Sequence, residues 1–373
     1  MRPLPLVALV PTLGCLAPGT GTSPPPPVEP FGTTSDGVAV GLYALTNANG
    51  VVAKLTDFGA TLVELHLPDR EGRLADVVLG FDDVSGYQGT DNQYFGCTVG
   101  RVANRIAGGT FELGGRTHTL ATNDGDNHLH GGAVGFGQRV WTAEPLETGN
   151  GQAVCFRYRS PDGEEGYPGT VTASVTYTLT DDDELVLDYV ATTDATTPVN
   201  LTHHSYFNLG GHGTGTILDH ELRVDASRYT PAGEGLIPTG VLASVVDTPL
   251  DFQRSRRIGA RIEALTNTPA RGYDHNLVLS RADGELRFAC RLADPDSGRV
   301  LEIFTTEPGL QLYSGNFLFG QAGKGGATYT HRGGVCLEAQ HFPDAVHHST
   351  FPSIVLRPDR TYRQTTVHRF FTD

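Results

Sequence analysis

Only two lysines, Lys54 and Lys324, occur in 373 residues, and the formal net charge is −15 at pH 7. A chain so short of basic side chains has no stripe with which to neutralise phosphates, which argues against nucleic-acid binding. An acidic surface does little to attract anionic substrates, leaving neutral small molecules as the easier ligands. Cysteine is sparse as well. Beyond Cys15, the cysteines Cys97, Cys155, Cys290 and Cys336 lie far apart and form no C-x-x-C pair, which excludes a zinc knuckle or dithiol redox motif. Each sits among apolar residues, as a small buried hydrophobe would, although an exported chain would permit one or two disulfides. No apolar run is long enough to span a membrane. Amphipathic segments of roughly ten to fifteen residues, the mark of α/β chains, are missing too.

Turn residues are plentiful instead. The 47 glycines and 23 prolines make up about 19% of the chain against roughly 12% in an average soluble protein, so turns are frequent and an all-β architecture is favoured. From about Val38 onward, short alternating runs recur with turn signals between them. Thr110–Leu113 and Arg116–Leu120 read as a hairpin across Gly114-Gly115, which supply the positive φ angles of a tight primed turn. Val171–Thr180 and Glu184–Ala191 form a second hairpin around Asp181-Asp182-Asp183. A third brings Gly284–Leu292 back as Arg299–Thr305 across Asp294-Pro295-Asp296-Ser297-Gly298. Leu310–Tyr313 and Val335–Glu338 read as further strands. No linker or fixed repeat interrupts 38–373, so one domain is expected there, built as a large antiparallel β-sandwich of two sheets packed face to face.

Ahead of that domain, residues 1–17 combine one positive charge, a short apolar stretch and small residues, the layout of an export signal. Leu13-Gly14-Cys15 resembles the lipidation box of bacterial lipoproteins, with Thr12 where an apolar residue is usual. Residues 18–37, rich in Pro, Gly, Ser and Thr and including Ser23-Pro24-Pro25-Pro26-Pro27, read as an extended tether. The expectation is a protein exported to the periplasm, the cell surface or beyond, with a possible lipid anchor and no membrane-spanning segment, as a monomer or homodimer. If residues 1–17 are only a leading tail or a mis-chosen start, the protein is cytoplasmic.

Chemistry gathers in segments where strands meet polar and aromatic loops. Glu338 ends the apolar run Cys336-Leu337-Glu338 just before a loop of rings and amides, and is the candidate base. Its candidate partner is His204 in Asn200-Leu201-Thr202-His203-His204-Ser205-Tyr206-Phe207-Asn208-Leu209. His203 and His204 point to opposite sides if extended, one to a ligand and one to the interior. The rings and amide of Tyr206, Phe207 and Asn208 suit a sugar, whose C–H faces stack on aromatics while its hydroxyls need donors and acceptors. Arg101 and Arg105 offer planar forks for hydroxyl oxygens, against the alternative of structural pairing with a buried carboxylate. His128 and His130 would share one face of a strand, yet no third ligand of matching spacing is close by, so no metal is assigned. Gly131 and Gly132 would let a ligand approach the backbone. Asp274, in Tyr273-Asp274-His275-Asn276, could pair with Glu338 as in a glycosidase, where two carboxylates about 5–9.5 Å apart flank the scissile bond.

Six segments, in order, together resemble the aldose 1-epimerases, or galactose mutarotases. They are Val99-Gly100-Arg101-Val102-Ala103-Asn104-Arg105-Ile106, Leu129-His130-Gly131-Gly132, Asn200–Leu209, Tyr273–Asn276, Gly309-Leu310-Gln311-Leu312-Tyr313-Ser314-Gly315-Asn316 and Gly334-Val335-Cys336-Leu337-Glu338-Ala339-Gln340. The resemblance covers nearly all of the chain after Val38. It implies the galactose mutarotase-like supersandwich and cofactor-free, metal-free interconversion of the α and β anomers of an aldohexose such as galactose or glucose. In that family the glutamate matching Glu338 takes the proton from the anomeric hydroxyl, and the histidine matching His204 gives one to the ring oxygen. His130 would assist near that oxygen. Asn104, Arg105, His130, Asp274 and Gln311 would hold hydroxyls, with Tyr206 lining the site. His204 is then expected to start protonated and Glu338 ionised, each charge favouring the other. His203 replaces a common asparagine and Ala339 a common threonine. A glycosidase using Asp274 and Glu338, a silent sugar-binding module and, for want of a cationic clamp, a lower-ranked phosphosugar epimerase are the alternatives.

Overall fold

Alternation of buried and outward positions makes Val171–Leu179 and Glu184–Thr193 paired antiparallel strands. In the computed structural model, which describes residues 25–280 and 284–373, they lie inside a nine-stranded antiparallel sheet. The late hairpin, Arg287–Ala293 with Arg299–Thr305, belongs to the same sheet, and its second strand pairs onward with Tyr362–Thr372. The hairpin at Thr110–Leu113 and Arg116–Thr119 stands apart as its own two-stranded ribbon, with φ of 60° and 75° at Gly114 and Gly115.

The opposite layer is assembled from two sheets. One has five strands, from Val28–Thr33 to Leu74–Asp76; the other has six, running Tyr206–Phe207, Val335–Gln340, Gly309–Tyr313, Asp274–Leu279, Ala226–Tyr229 and Ala243–Ser244. They join edge to edge: Val78 bridges Phe207, Leu79 N–H donates to Tyr206 O at 3.0 Å, and Asn208 N–H donates to Val77 O at 2.9 Å. Leu55, Leu62 and Leu65 from the first, Leu310, Leu312 and Leu337 from the second, and Val154, Phe156 and Val175 from the nine-stranded sheet share one apolar core. The architecture is the all-β sandwich expected.

One boundary differs. Val28–Thr33, inside the stretch 18–37 read as a tether, is a strand paired with Ala39–Thr46. Pro30 is tolerated because this strand lies at the sheet edge, where a missing N–H breaks no ladder, and the register shifts between Pro30 and Gly32. The folded body therefore begins earlier than residue 38. The proposed signal, the lipidation box and the tether up to residue 24 lie outside the described residues. Among those described, no helix is long and apolar enough to cross a membrane. Cys97, Cys290 and Cys336 are free and buried.

Candidate active site

The period of two along a strand sends Val335, Leu337 and Ala339 into the core and Cys336, Glu338 and Gln340 to the opposite face. Register aligns that face with its neighbours. Gln311 lies across from Glu338 and Asn276 across from Gln311, while Cys336 is flanked by Tyr313 and Tyr206, and Tyr313 by Asp274. Alternation plus register thus sets Asp274, Gln311, Glu338 and Tyr206 on one floor, although they are far apart in sequence.

Two other segments form the walls. Arg105–Ile106 pairs with His128–Leu129, and His130 follows directly. His130 N–H donates to Asn104 O at 3.1 Å, and Asn104 N–H donates to His130 Nδ1 at 3.2 Å. Asn104, His130 and Tyr94 all adopt left-handed backbone, with φ of 59°, 50° and 61°. Such costly conformations in non-glycine residues concentrate where side chains must be aimed. Thr202–His203 pairs with Thr98–Val99 and delivers the histidine pair. His203 turns inward, with Nε2 2.7 Å from Ser205 Oγ and Nδ1 3.3 Å from Tyr177 OH. His204 turns to the cavity, its Nε2 3.8 Å from Glu338 Oε1.

A cavity of about 430 Å³ is lined by Asn104, Arg105, His130, His204, Tyr206, Asp274 and Glu338, with Tyr94 and Asp124 added. That size suits a small-molecule ligand. Gln311 borders an adjoining pocket of about 10 Å³ lined also by Asn104, Arg105 and Asp274. The structure therefore brings together the residues that the family resemblance assigns to a sugar site. Glu338 Oε2 and Gln311 Oε1 are buried acceptors without a donor among the described residues. Gln311 spends its amide N–H on Asp274 Oδ1 at 2.6 Å, which leaves its oxygen for a ligand hydroxyl.

Burial dominates the electrostatics. It pushes Glu338 well above the usual carboxylate range, helped by the nearby charge of Asp274 and opposed by Arg105. It lowers His204 to about 4 and takes His130 far below an ordinary histidine. Asp274 is raised by the same cause, with Arg105 and Gln311 pulling the other way. The expected imidazolium and carboxylate are therefore each disfavoured by desolvation in the free protein. A single proton shared by the pair satisfies both tendencies.

Two residues of the cavity carry little signal in the sequence. Asp124 accepts from Arg105 Nε at 2.7 Å and fixes the guanidinium at the cavity wall. Tyr94 lays its ring 4.6 Å from that of His130 and 5.7 Å from that of His204. Both stand in loops without periodicity, and only the aromatic-polar composition around Tyr94 hints at a role.

Three expectations need correction. Among the described residues, Arg101 has neither a sugar-facing position nor a carboxylate in hydrogen-bond contact. It is 1% exposed, donates to the carbonyls of Pro161, Pro168 and Gly169 and to Ser160 Oγ, and lies over the Tyr167 ring. Gly131 and Gly132 serve protein packing instead of ligand approach: a Cβ on Gly131 would lie 1.8 Å from Gly100 O, and one on Gly132 2.1 Å from the Glu165 carboxylate. Finally, His128 does not share a face with His130: it is held by Ala121 O and Tyr167 OH, and the backbone turns left-handed at His130, with φ of 50°. Among the described residues two groups have cation-like spacing, Glu64, His66 and Asp76 away from the cavity and, inside it, His130, His204 and Glu338, whose ligand-type atoms lie within 4.8 Å of one another. The fit to a metal is poor, because the Asn104 N–H occupies the His130 Nδ1 lone pair and leaves the other ring nitrogen protonated in the neutral imidazole.

A sequence model described as aldose 1-epimerase matches residues 41–369. The galactose mutarotase of Bos taurus is 48% identical over 85% of this chain and 90% of its own length. The aldose 1-epimerase of Escherichia coli K12 is 36% identical over 91% and 97%. Among solved structures, an aldose epimerase homologue from C. elegans superposes with a TM-score of 0.81 at 33% identity, covering 90% of this chain and 99% of that one. Galactose 1-epimerase from Lactobacillus acidophilus gives 0.79 at 28%, covering 93% and 98%.

Proposed function

The chain belongs to the aldose 1-epimerase family, and we propose that it interconverts the α and β anomers of free aldohexoses such as galactose and glucose with Glu338 as base and His204 as acid. The observation carrying this assignment is the 3.8 Å approach of Glu338 Oε1 to His204 Nε2 within one sugar-sized cavity.

Glu338 removes the proton from the anomeric hydroxyl while His204 delivers one to the ring oxygen. The C1–O5 bond breaks and leaves an open-chain aldehyde. Rotation about C1–C2 presents the other carbonyl face, and closure returns both protons by the reverse transfers. The reacting form, carboxylate beside imidazolium, differs from the neutral pair only in where one proton sits. Sugar hydroxyls donating to the unpartnered Glu338 Oε2 favour the ionised acid. His130, 5.1 Å from His204 ring to ring, assists near the ring oxygen. Asn104, Arg105, Asp274 and Gln311 hold hydroxyls, and Tyr206, 5.2 Å from the His204 ring, lines the site. No step requires a metal or cofactor.

Polarimetry on freshly dissolved α-galactose and α-glucose tests the assignment: the purified protein should speed the drift to anomeric equilibrium. Release of reducing ends from an oligosaccharide would instead restore the glycosidase reading, although Asp274 is tied to Gln311 and the matched relatives are epimerases. Sugar binding without acceleration would mark a silent module.

The layout of residues 1–17 supports export, and Leu13-Gly14-Cys15 supports a lipid anchor on Cys15. Fractionation with intact-mass analysis decides both, and recovery of unlipidated full-length chain in the cytoplasm contradicts them. Light scattering should find a monomer or homodimer.

A further inference from the structure

Arg105 enters the cavity on a segment that one buried acid grips twice. The strand Val335–Gln340, which carries Glu338, runs on through Phe342-Pro343 to Asp344. There the Asp344 N–H donates to Arg105 O at 2.9 Å, and Asp344 Oδ1 accepts from Ala107 N–H at 3.0 Å. Ile106, between the two gripped residues, is buried in an apolar cluster with Phe342 and Ala345. Asp344 makes both bonds from left-handed backbone, with φ of 56°. A non-glycine residue holds that costly conformation only where its surroundings over-determine it. Its carboxylate is 2% exposed and is met by His347 Nδ1 at 2.6 Å and His348 Nε2 at 3.5 Å.

Bonds so placed do more than close a loop. Asp124 holds the Arg105 side chain near its tip, at Nε, but a long side chain aims its charge only when its backbone root is also still. Asp344 fixes that root, and it does so from the run of chain that carries the base. We propose that Asp344 is a positioning residue that sets the reach of Arg105 into the sugar cavity by clamping the Arg105–Ala107 backbone to the segment that follows Glu338. The inference rests on the assignment of Arg105 to sugar hydroxyls. Pro343, next to Asp344, lines the small adjoining pocket together with Arg105 and Gln311, and so does Pro238, whose carbonyl lies 3.2 Å from His348 Nε2. A slip of the clamp would therefore be felt where hydroxyls are held and not at the Glu338–His204 pair.

Asp344→Gly removes the carboxylate while permitting the left-handed backbone. Initial-rate polarimetry of the full chain on galactose should show KM raised about fivefold, the scale of one lost hydrogen bond, with kcat within about twofold, the pattern of lost substrate holding. Asp344→Asn, whose amide oxygen can still accept from Ala107, should stay within about twofold of the unmodified protein. The deciding comparison adds Asp344→Gly to Arg105→Ala, which alone should raise KM about tenfold, as loss of a charged donor does. With the guanidinium already gone, the second change should leave KM within about twofold of the single variant. A merely structural role predicts that the two effects on KM multiply, and that result overturns the proposal, as does a folded Asp344→Gly variant with ordinary KM. Ala107→Pro carries the test if glycine disturbs folding: it deletes the N–H that Asp344 accepts, at the first position of a 3₁₀ turn where proline fits, and should raise KM alike. An ordinary KM in that folded variant overturns the proposal. An ordinary KM in Arg105→Ala removes Arg105 from the sugar site itself and takes the proposal with it.

Discussion

Glu338 Oε1 and His204 Nε2 stand 3.8 Å apart in side chains that are 2% and 5% exposed. Two buried groups so close titrate as a pair, and the working state holds one proton between them. A second proton must enter a histidine lowered to about 4, so activity should persist as pH falls through 6.5 and decline only toward about 4. The last proton leaves through a glutamate raised well above its ordinary value, which places the alkaline limb far above the normal carboxylate range. A pH profile of kcat/KM checks both limbs. An acid limb at 6.5 would contradict the pairing.

Arg105 reaches the cavity with its Nε held by Asp124 at 2.7 Å. Asp124→Ala frees the guanidinium to swing into solvent. The partner is partly exposed, so the loss is about 1 kcal/mol after screening. KM should rise about fivefold with kcat little changed, as initial-rate polarimetry would show.

Tyr94 contributes a ring face to both His130 and His204. Tyr94→Ala should raise KM about threefold to tenfold, the scale of one aromatic contact of about 0.5–1.5 kcal/mol. Tyr94→Phe keeps the ring and should stay within about twofold. Equal losses in the two variants would assign the effect to the hydroxyl instead.

Arg101 holds the sandwich together from inside. Its guanidinium serves several carbonyls that a lysine cannot reach with the same fork. Arg101→Lys should cost about 2–4 kcal/mol in stability, read as a lower Tm or denaturant midpoint, with KM unchanged in the protein that remains folded. A large KM change at normal stability would return Arg101 to the site.

Much of the fold is legible in the chain because a period of two is a local signal. Alternation marks the hairpins, places Glu338 on the face opposite Leu337, and sends His203 and His204 to opposite sides. Register across distant strands is not local, so the row joining Asn276, Gln311 and Glu338 cannot be read from spacing. Asp124 and Tyr94 act from loops whose backbone follows no pattern. Val28–Thr33 is hidden by its proline and those just ahead of it, which mark an extended tether as readily as an edge strand. Arg101 and Arg105 look equivalent in sequence, and only the fold shows that one serves buried carbonyls and the other the cavity. The protonation states depart from the sequence expectation because desolvation depends on what covers a residue, not on its neighbours along the chain.

The most direct measurement is the mutarotation of fresh α-galactose by Glu338→Gln, with sugar binding followed in parallel by calorimetry. Loss of the base should lower kcat about 10²–10⁴-fold while the dissociation constant stays nearly unchanged. Near-normal turnover in the folded variant would contradict the account.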